Sequence, residues 1–191
     1  MTNRRQATLY LPLPWSICVE SIRSEFNPVQ FDLIRAHVTL CRDDEVSDWD
    51  ALASRLSNLG TIEVALDFGM PVREDNLVYL PSVGSTQSFD RLRHSILATD
   101  ALFPRKHNPH ITLIHPRNGI CSDSTIDEIT RQHKPFSTIF HCVTLIEQDN
   151  AGRWQDLMTF PTPIKTTDRT TTLKASPDSA MDRSKFGVNL F

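Results

Sequence analysis

The sequence has few of the features that mark membrane, disulfide-stabilised or nucleic-acid-coating proteins. No apolar run in its 191 residues approaches the about 20 needed to cross a membrane. The four cysteines include no Cys-x-x-Cys pair, which argues against a thiolate zinc site or a disulfide framework. A net charge of −3 argues against strong binding to polyanions through many phosphate contacts. We therefore expect no membrane partner and no general affinity for long nucleic acids.

The N-terminus has one feature of a secretory signal, because Arg4 and Arg5 precede an apolar stretch. Pro12 and Pro14 interrupt that stretch, and no small-residue cleavage site follows it. A first strand over residues 7–13 that leads into a helix explains the pattern better. With so few cysteines in no framework, the sequence predicts a cytoplasmic protein. We also expect a monomer.

Two matching tetrapeptides dominate the sequence: His-Val-Thr-Leu at residues 37–40 and His-Ile-Thr-Leu at residues 110–113, 73 residues apart. Their composition and flanks predict short β-strands. In a strand, residues i and i+2 point to the same face, so each tetrapeptide offers an imidazole beside a hydroxyl. The polar residues of this predicted site are His37, Thr39, His110 and Thr112.

The order of predicted elements repeats with the tetrapeptides. Apolar spacing and breakers predict helices over residues 14–26, 47–59 and 87–102 and a shorter one from about 122. The helix near 47 is expected to begin with a capping box at Ser47. Strands are predicted over residues 61–68, 77–83, 138–147 and 153–160, in addition to those already named. The matching order in the two halves indicates an internal repeat.

This order predicts an α+β fold with two lobes related by a pseudo-twofold axis. Each lobe should have an antiparallel sheet with helices on its outer face, and the active groove should lie between the lobes. We expect residues 1–163 to form this bilobal domain, with repeat halves at about 7–84 and 85–163. Residues 164–191 are polar and aperiodic, and they predict a flexible C-terminal tail.

The paired motifs, Arg-Ala-His-Val-Thr-Leu from residue 35 and Asn-Pro-His-Ile-Thr-Leu from residue 108, closely resemble those of the 2H phosphoesterase superfamily. This superfamily includes the 2′-5′ RNA ligase-like proteins and cyclic nucleotide phosphodiesterases. The resemblance covers about residues 7–161. It implies two lobes, catalysis without a metal or other cofactor, and substrates with 2′,3′-cyclic or 2′-5′ phosphodiester bonds. It also implies that a 2′,3′-cyclic phosphate opens at its 3′ oxygen.

The chemistry of the four residues agrees with that resemblance. Phosphodiester cleavage needs a base for the attacking oxygen and an acid for the leaving oxygen, and imidazole can serve as either near neutral pH. We expect His37 and His110 to form this pair in exchangeable roles. Hydroxyls of Thr39 and Thr112 can donate hydrogen bonds to nonbridging phosphate oxygens.

Other candidates are weaker. A nucleobase needs an aromatic or arginine surface, and Tyr79, Trp154 and Arg153 on the two predicted hairpins could supply one. Phe68 is a further aromatic there, although each of these rings is more often part of a core. His107, His110 and His115 lack the His-Glu-x-x-His pattern of a zinc helix, so no metal site is predicted.

Three functions remain open. The first is hydrolysis of a cyclic or 2′-5′-linked nucleotide or of an RNA end. The second is reversible 2′-5′ ligation of RNA ends, against which the acidic net charge counts mildly. The third is binding and sequestration of a cyclic nucleotide or RNA end without catalysis. The substrate expected in all three cases is a nucleotide or RNA end.

Overall fold

The computed structural model describes residues 3–61, 63–97 and 106–161. These residues form nine strands and five helices. In chain order they are β1 (Arg4–Tyr10), α1 (Trp15–Phe26), α2 (Pro28–Leu33), β2 (His37–Arg42), α3 (Trp49–Asn58), β3 (Val64–Phe68), β4 (Val72–Glu74), β5 (Leu77–Val83), α4 (Gln87–Leu97), β6 (His110–Ile114), α5 (Asp123–Gln132), β7 (Phe136–Phe140), β8 (Cys142–Gln148) and β9 (Gln155–Pro161). The expected C-terminal tail and the end of the helix predicted over residues 87–102 lie outside the described residues.

The strands form two antiparallel sheets, which confirms the predicted α+β class. The first sheet has the order β2-β1-β8-β9. The second has the order β4-β5-β3-β7, and β6 pairs with β5. Among the described strands, the two that begin with the motif histidines, β2 and β6, each pair with a single neighbour.

The two sheets do not coincide with the two halves of the sequence. The first sheet combines β1 and β2 from the first half with β8 and β9 from the second. The second sheet combines β3, β4 and β5 with β6 and β7. Apolar periodicity reports which face of a strand is buried but not which strand it pairs with. The repeat was therefore visible in the sequence, whereas the exchange of strands between the halves was not.

One predicted strand, over residues 138–147, was wrong in its extent. The chain forms β7 and β8 instead, separated at His141. β7 pairs with β3 in the second sheet, and β8 pairs with β1 in the first. Phe140 and Val143 on either side of the break both belong to the same core. The apolar pattern therefore continues through the change of sheet and gives no local sign of it.

Two other local features differ from expectation. The helix expected to begin with a capping box at Ser47 is capped by Asp48, whose carboxylate accepts hydrogen bonds from the backbone N–H groups of Asp50 and Ala51 at 3.0 and 2.9 Å. The short helix α2 was not predicted. It follows α1 directly, with Pro28 in the first turn, where the missing N–H of proline costs no hydrogen bond.

A single core holds the two sheets together. On β2, Val38 and Leu40 are fully buried, and on β6, Ile111 and Leu113 are fully buried. All four belong to one apolar cluster with the buried side chains of the helices and the other strands. Because side chains alternate along a strand, this burial turns the histidine and threonine of each motif to the opposite face.

Arg93 ties α4 to β2 and to the turn that follows β2. The Arg93 guanidinium lies 2.7 Å from the Glu45 carboxylate, and the two side chains are only 4% and 9% exposed. Arg93 also donates a hydrogen bond to the backbone carbonyl of Leu40, in the middle of β2. A helix from the second half of the chain therefore holds a motif strand from the first half.

We predict that Arg93→Met lowers the free energy of unfolding by about 3–5 kcal/mol, because it removes one partner of a buried ion pair. The double variant Arg93→Met Glu45→Gln should lose clearly less than the sum of the two single variants. Urea unfolding followed by circular dichroism measures all three. Strictly additive losses would show that the two side chains do not act as a pair.

Candidate active site

The two motif strands present their polar residues in the same way. Along β2 and along β6, the first and third residues are half-buried and the second and fourth are buried. His37, Thr39, His110 and Thr112 occupy those half-buried positions. The alternation predicted from the sequence is therefore present in both strands.

The two strands lie next to each other where the sheets meet. Residues of β2 contact residues of β6 although the strands belong to different sheets. His110 is close enough to His37 for its charge to lower the pKa of His37. The structure thus brings the two motifs, which are 73 residues apart in sequence, next to each other, and we call the surface on which their histidines and threonines lie the groove.

A hydrogen bond orients each histidine in the same way. Nδ1 of His37 lies 2.7 Å from the backbone carbonyl of Arg35, and Nδ1 of His110 lies 2.9 Å from that of Asn108. In each case the carbonyl belongs to the second residue before the histidine. A carbonyl only accepts, so Nδ1 carries the proton, and the nitrogen available for chemistry in both rings is Nε2.

His37 is neutral near pH 7. Burial is the main reason that its pKa falls to about 4, and the positive charges of Arg23, His110 and Arg35 lower it further. The hydrogen bond to the Arg35 carbonyl opposes this effect. A neutral imidazole with its proton on Nδ1 has a lone pair on Nε2 that can accept a proton.

Gln6 is a further residue at this nitrogen. It lies on β1, is 5% exposed, and its Nε2 amide group is 3.2 Å from Nε2 of His37. An amide N–H donor at this distance stabilises the neutral ring and holds the lone pair in place. Among the described residues, Nε2 of His110 has no such partner. Sequence reasoning missed Gln6, since a lone glutamine in a strand has no local signal.

The threonine hydroxyls are available to a ligand. Within the described part of the chain, neither Thr39 nor Thr112 uses its side-chain oxygen in a hydrogen bond to the protein. Each stands two residues from a histidine on the same face of its strand. Both can therefore donate to the oxygens of a bound phosphate.

Both tyrosines of the chain lie beside the histidines. Tyr79 packs edge-on against His110, with ring centroids 5.3 Å apart, and Tyr10 packs edge-on against His37 at 6.3 Å. Each hydroxyl donates to a carboxylate, Tyr79 to Glu74 at 2.7 Å and Tyr10 to Asp156 at 2.8 Å. The sequence singled out Tyr79 but not Tyr10, which reaches His37 only because β1 pairs with β2.

The other two binding candidates line one cleft on the His37 side. Arg153 and Trp154 lie in the loop just before β9, rather than in the strand itself. The cleft also contains Tyr10. Phe68, in contrast, is 1% exposed and belongs to the core.

His107 is a third histidine near the groove. Its ring centroid lies 5.9 Å from that of His110 and 6.1 Å from that of Phe89. Burial, together with the charge of Arg93, lowers the pKa of His107 to about 4, so it is neutral near pH 7. The sequence had raised it only as a possible zinc ligand. Across the described ranges, no group of three or more His, Cys, Asp or Glu side chains is placed to hold a metal ion.

Comparison with known proteins identifies the family. Residues 11–152 match the model of the 2′-5′ RNA ligase superfamily, and the chain belongs to that superfamily. This confirms the resemblance seen in the motifs, and it supports a protein that acts on phosphodiester bonds. The sequence matches no curated protein. In the part of the chain that the structure describes, no helix is long and apolar enough to span a membrane.

Solved structures share the fold. One crystal structure of a phosphoesterase has a TM-score of 0.61 at 18% identity, covering 84% of this chain and 98% of its own. E. coli LigT in complex with phosphate has a TM-score of 0.56 at 16% identity, covering 83% of this chain and 96% of its own. LigT in complex with 3′-AMP has a TM-score of 0.57 at 17% identity, with 85% and 98% covered.

We predict that Gln6→Glu raises the pKa of His37 from about 4 to about 5–7, because a carboxylate at Nε2 stabilises the protonated ring. NMR titration of the histidine ring signals measures this directly. Gln148→Glu is the matched control, since Gln148 is equally buried in the same sheet but bonds to Arg4 and to the Gly152 carbonyl. If the pKa of His37 is unchanged in Gln6→Glu, Gln6 does not act on the His37 ring.

Proposed function

We propose that this protein hydrolyses a 2′,3′-cyclic or 2′-5′-linked phosphodiester of a nucleotide or RNA end, using two histidines as acid and base without a metal. The observation that carries the proposal is the matched pair of motif strands, each with its histidine fixed by a hydrogen bond at Nδ1. Membership of a superfamily of phosphodiester-acting proteins supports it.

The reaction needs one proton transfer on each side of the phosphate. A water molecule attacks phosphorus and gives a proton to Nε2 of one histidine. The P–O bond to the ribose oxygen breaks, and that oxygen takes a proton from Nε2 of the other. The hydroxyls of Thr39 and Thr112 donate to the nonbridging oxygens, whose charge shifts in the transition state. Exchange with solvent then restores both histidines.

We assign the role of base to His37 and that of acid to His110. His37 is neutral near pH 7, and the Gln6 amide stabilises that form. If His37 were the acid, only a small fraction of the protein would hold the needed proton at neutral pH. The remaining role, donation to the leaving oxygen, goes to His110.

Three further residues are proposed to bind the substrate. Tyr79 lies against His110, and its hydroxyl is held by Glu74. Trp154 and Arg153 line the cleft beside His37. These side chains would hold the nucleoside and the groups around the phosphate while the histidines act on it.

The name of the matching superfamily keeps 2′-5′ ligation as a second candidate. Ligation of a 2′,3′-cyclic end with a 5′-hydroxyl end puts that hydroxyl in the place of water: it attacks phosphorus and gives its proton to one histidine, and the ribose oxygen that leaves takes a proton from the other. Incubation with RNA carrying these ends, followed by gel analysis, distinguishes the two directions. Accumulation of joined product in place of hydrolysed ends would favour ligation.

We predict that His37→Ala and His110→Ala each lower kcat by about 10²–10⁴, because each removes one of the two proton transfers. The assay offers 2′,3′-cyclic nucleotides, ADP-ribose cyclic phosphate and 2′-5′ oligoadenylates to chelator-treated protein. His94→Ala is the matched control, since His94 is exposed on α4. Binding without turnover would favour sequestration, and activity that requires an added metal would contradict the mechanism.

The pH profile tests the assignment of roles. Because kcat/KM reports the groups of the free protein, we predict that its acid limb follows His37, with a midpoint near pH 4. Activity should persist as the pH falls from 7 to about 5 and decline below that. Circular dichroism at each pH separates this decline from unfolding. An acid limb that is unaffected by Gln6→Glu would contradict the assignment of His37 as the base.

A further inference from the structure

One cleft of the molecule has a lining that the reaction itself does not require. It lies between α2 and the loop before β9, on the His37 side of the groove, and has a volume of about 440 Å³. We call it the α2 cleft and define it by Tyr10, Phe31, Arg35, Arg153, Trp154 and Asp156. Its volume is in the range of small-molecule binding sites.

Packing in the core does not account for the apolar residues of α2, the helix on one wall of the cleft. No side chain of α2 is buried, although three of its six residues are Val, Phe and Leu. Phe31 is 37% exposed, and it lines both the α2 cleft and the adjoining cleft along α1. A partly exposed phenylalanine that lines a cleft can stack against another flat ring.

The opposite wall is held firmly in position. The backbone N–H of Trp154 donates to the carbonyl of Leu33, at the end of α2, at 2.9 Å. The Arg4 guanidinium lies over the Trp154 ring, 5.5 Å from its centroid. The two walls of the cleft are therefore tied to each other, and the indole is fixed from one side.

The floor of the cleft connects it to the reacting histidine. The Arg35 guanidinium lies over the Tyr10 ring at 3.6 Å, and it forms an ion pair with Asp156 at 2.5 Å. The same Tyr10 ring packs edge-on against His37. A planar cation on a planar ring offers a stacking surface, and the carboxylates of Asp32 and Asp156 accept hydrogen bonds.

The cleft on the other side of the groove has a different lining. It has a volume of about 490 Å³ and includes Arg42, Lys106, Glu74 and Tyr79 around His110. Tyr79 is the only phenyl or indole ring among the residues described there, and its hydroxyl is held by Glu74. Two cations against one carboxylate suit an anionic or sugar group better than a base.

We infer that the α2 cleft binds the nucleobase of the substrate, with Phe31 and Trp154 as its stacking surfaces, so that the base lies on the His37 side of the phosphate. This rests on the proposed function, which it deepens by fixing the direction of the substrate in the groove. A second phosphate or nucleoside then extends from the reacting phosphate towards Arg42 and Lys106. Phe31, which sequence reasoning did not select, is a specificity-determining residue.

The test compares a substrate that has a base with one that lacks it. Phe31→Ala should raise KM for 2′,3′-cyclic AMP by about 5- to 100-fold with kcat nearly unchanged, the range expected for loss of one stacking contact. KM for methyl riboside 2′,3′-cyclic phosphate, which has no base, should stay within about twofold. Val29→Ala is the matched control, because Val29 is exposed on the same helix but does not line the cleft.

A binding measurement separates this inference from the proposed function. Isothermal titration with 2′-AMP and with ribose 2-phosphate needs no turnover, and Phe31→Ala and Trp154→Ala should weaken only the binding of 2′-AMP. If the two variants weaken only the binding of 2′-AMP but the protein has no hydrolytic activity, the nucleobase site is supported and the proposed hydrolysis is contradicted. If the protein hydrolyses the nucleotide and both variants affect the two ligands equally or not at all, the inference is overturned.

Discussion

The groove depends on the burial of one face of two short strands. Val38 and Leu40 on β2, and Ile111 and Leu113 on β6, lie in the core that both sheets share. With a period of two residues, this burial leaves the other face to histidine and threonine. A slip of one residue in either pairing would put the imidazole and hydroxyl into the core. The packing that stabilises the fold therefore also sets the positions of the side chains that we propose to react.

The sequence predicted what is local in this arrangement. The alternation in the two motifs, the α+β class and the start of most helices are visible in neighbouring residues. Gln6 and Tyr10 were missed because they reach His37 only through the pairing of β1 with β2. The change of sheet at His141 was missed because the same core continues across it. The features that could not be predicted depend on which strands pair over long distances in the sequence, and the preferences of individual residues do not show this.

The repeated motifs and the proposed acid/base pair place opposite requirements on the two histidines. Two histidines in identical surroundings would have the same pKa, whereas the proposed reaction needs one neutral and one protonated ring. The scaffold repeats what both must have, a fixed Nδ1 and a neighbouring threonine. The surroundings then differ: an amide faces Nε2 of His37, and aromatic rings collect on that side of the groove. The two motifs are therefore alike, but the residues around them differ, and this difference distinguishes the two histidines.

The exchange of strands between the two halves bears on how the protein is made. In the first sheet, β1 pairs on one side with β8, and Arg4 bonds to Gln148, 144 residues further along the chain. On a ribosome, the N-terminal strand would emerge long before that partner has been synthesised. Its open edge must therefore stay protected in the nascent chain until almost the whole domain has left the exit tunnel. Such late closure is a period of risk for aggregation and a natural point for chaperone contact.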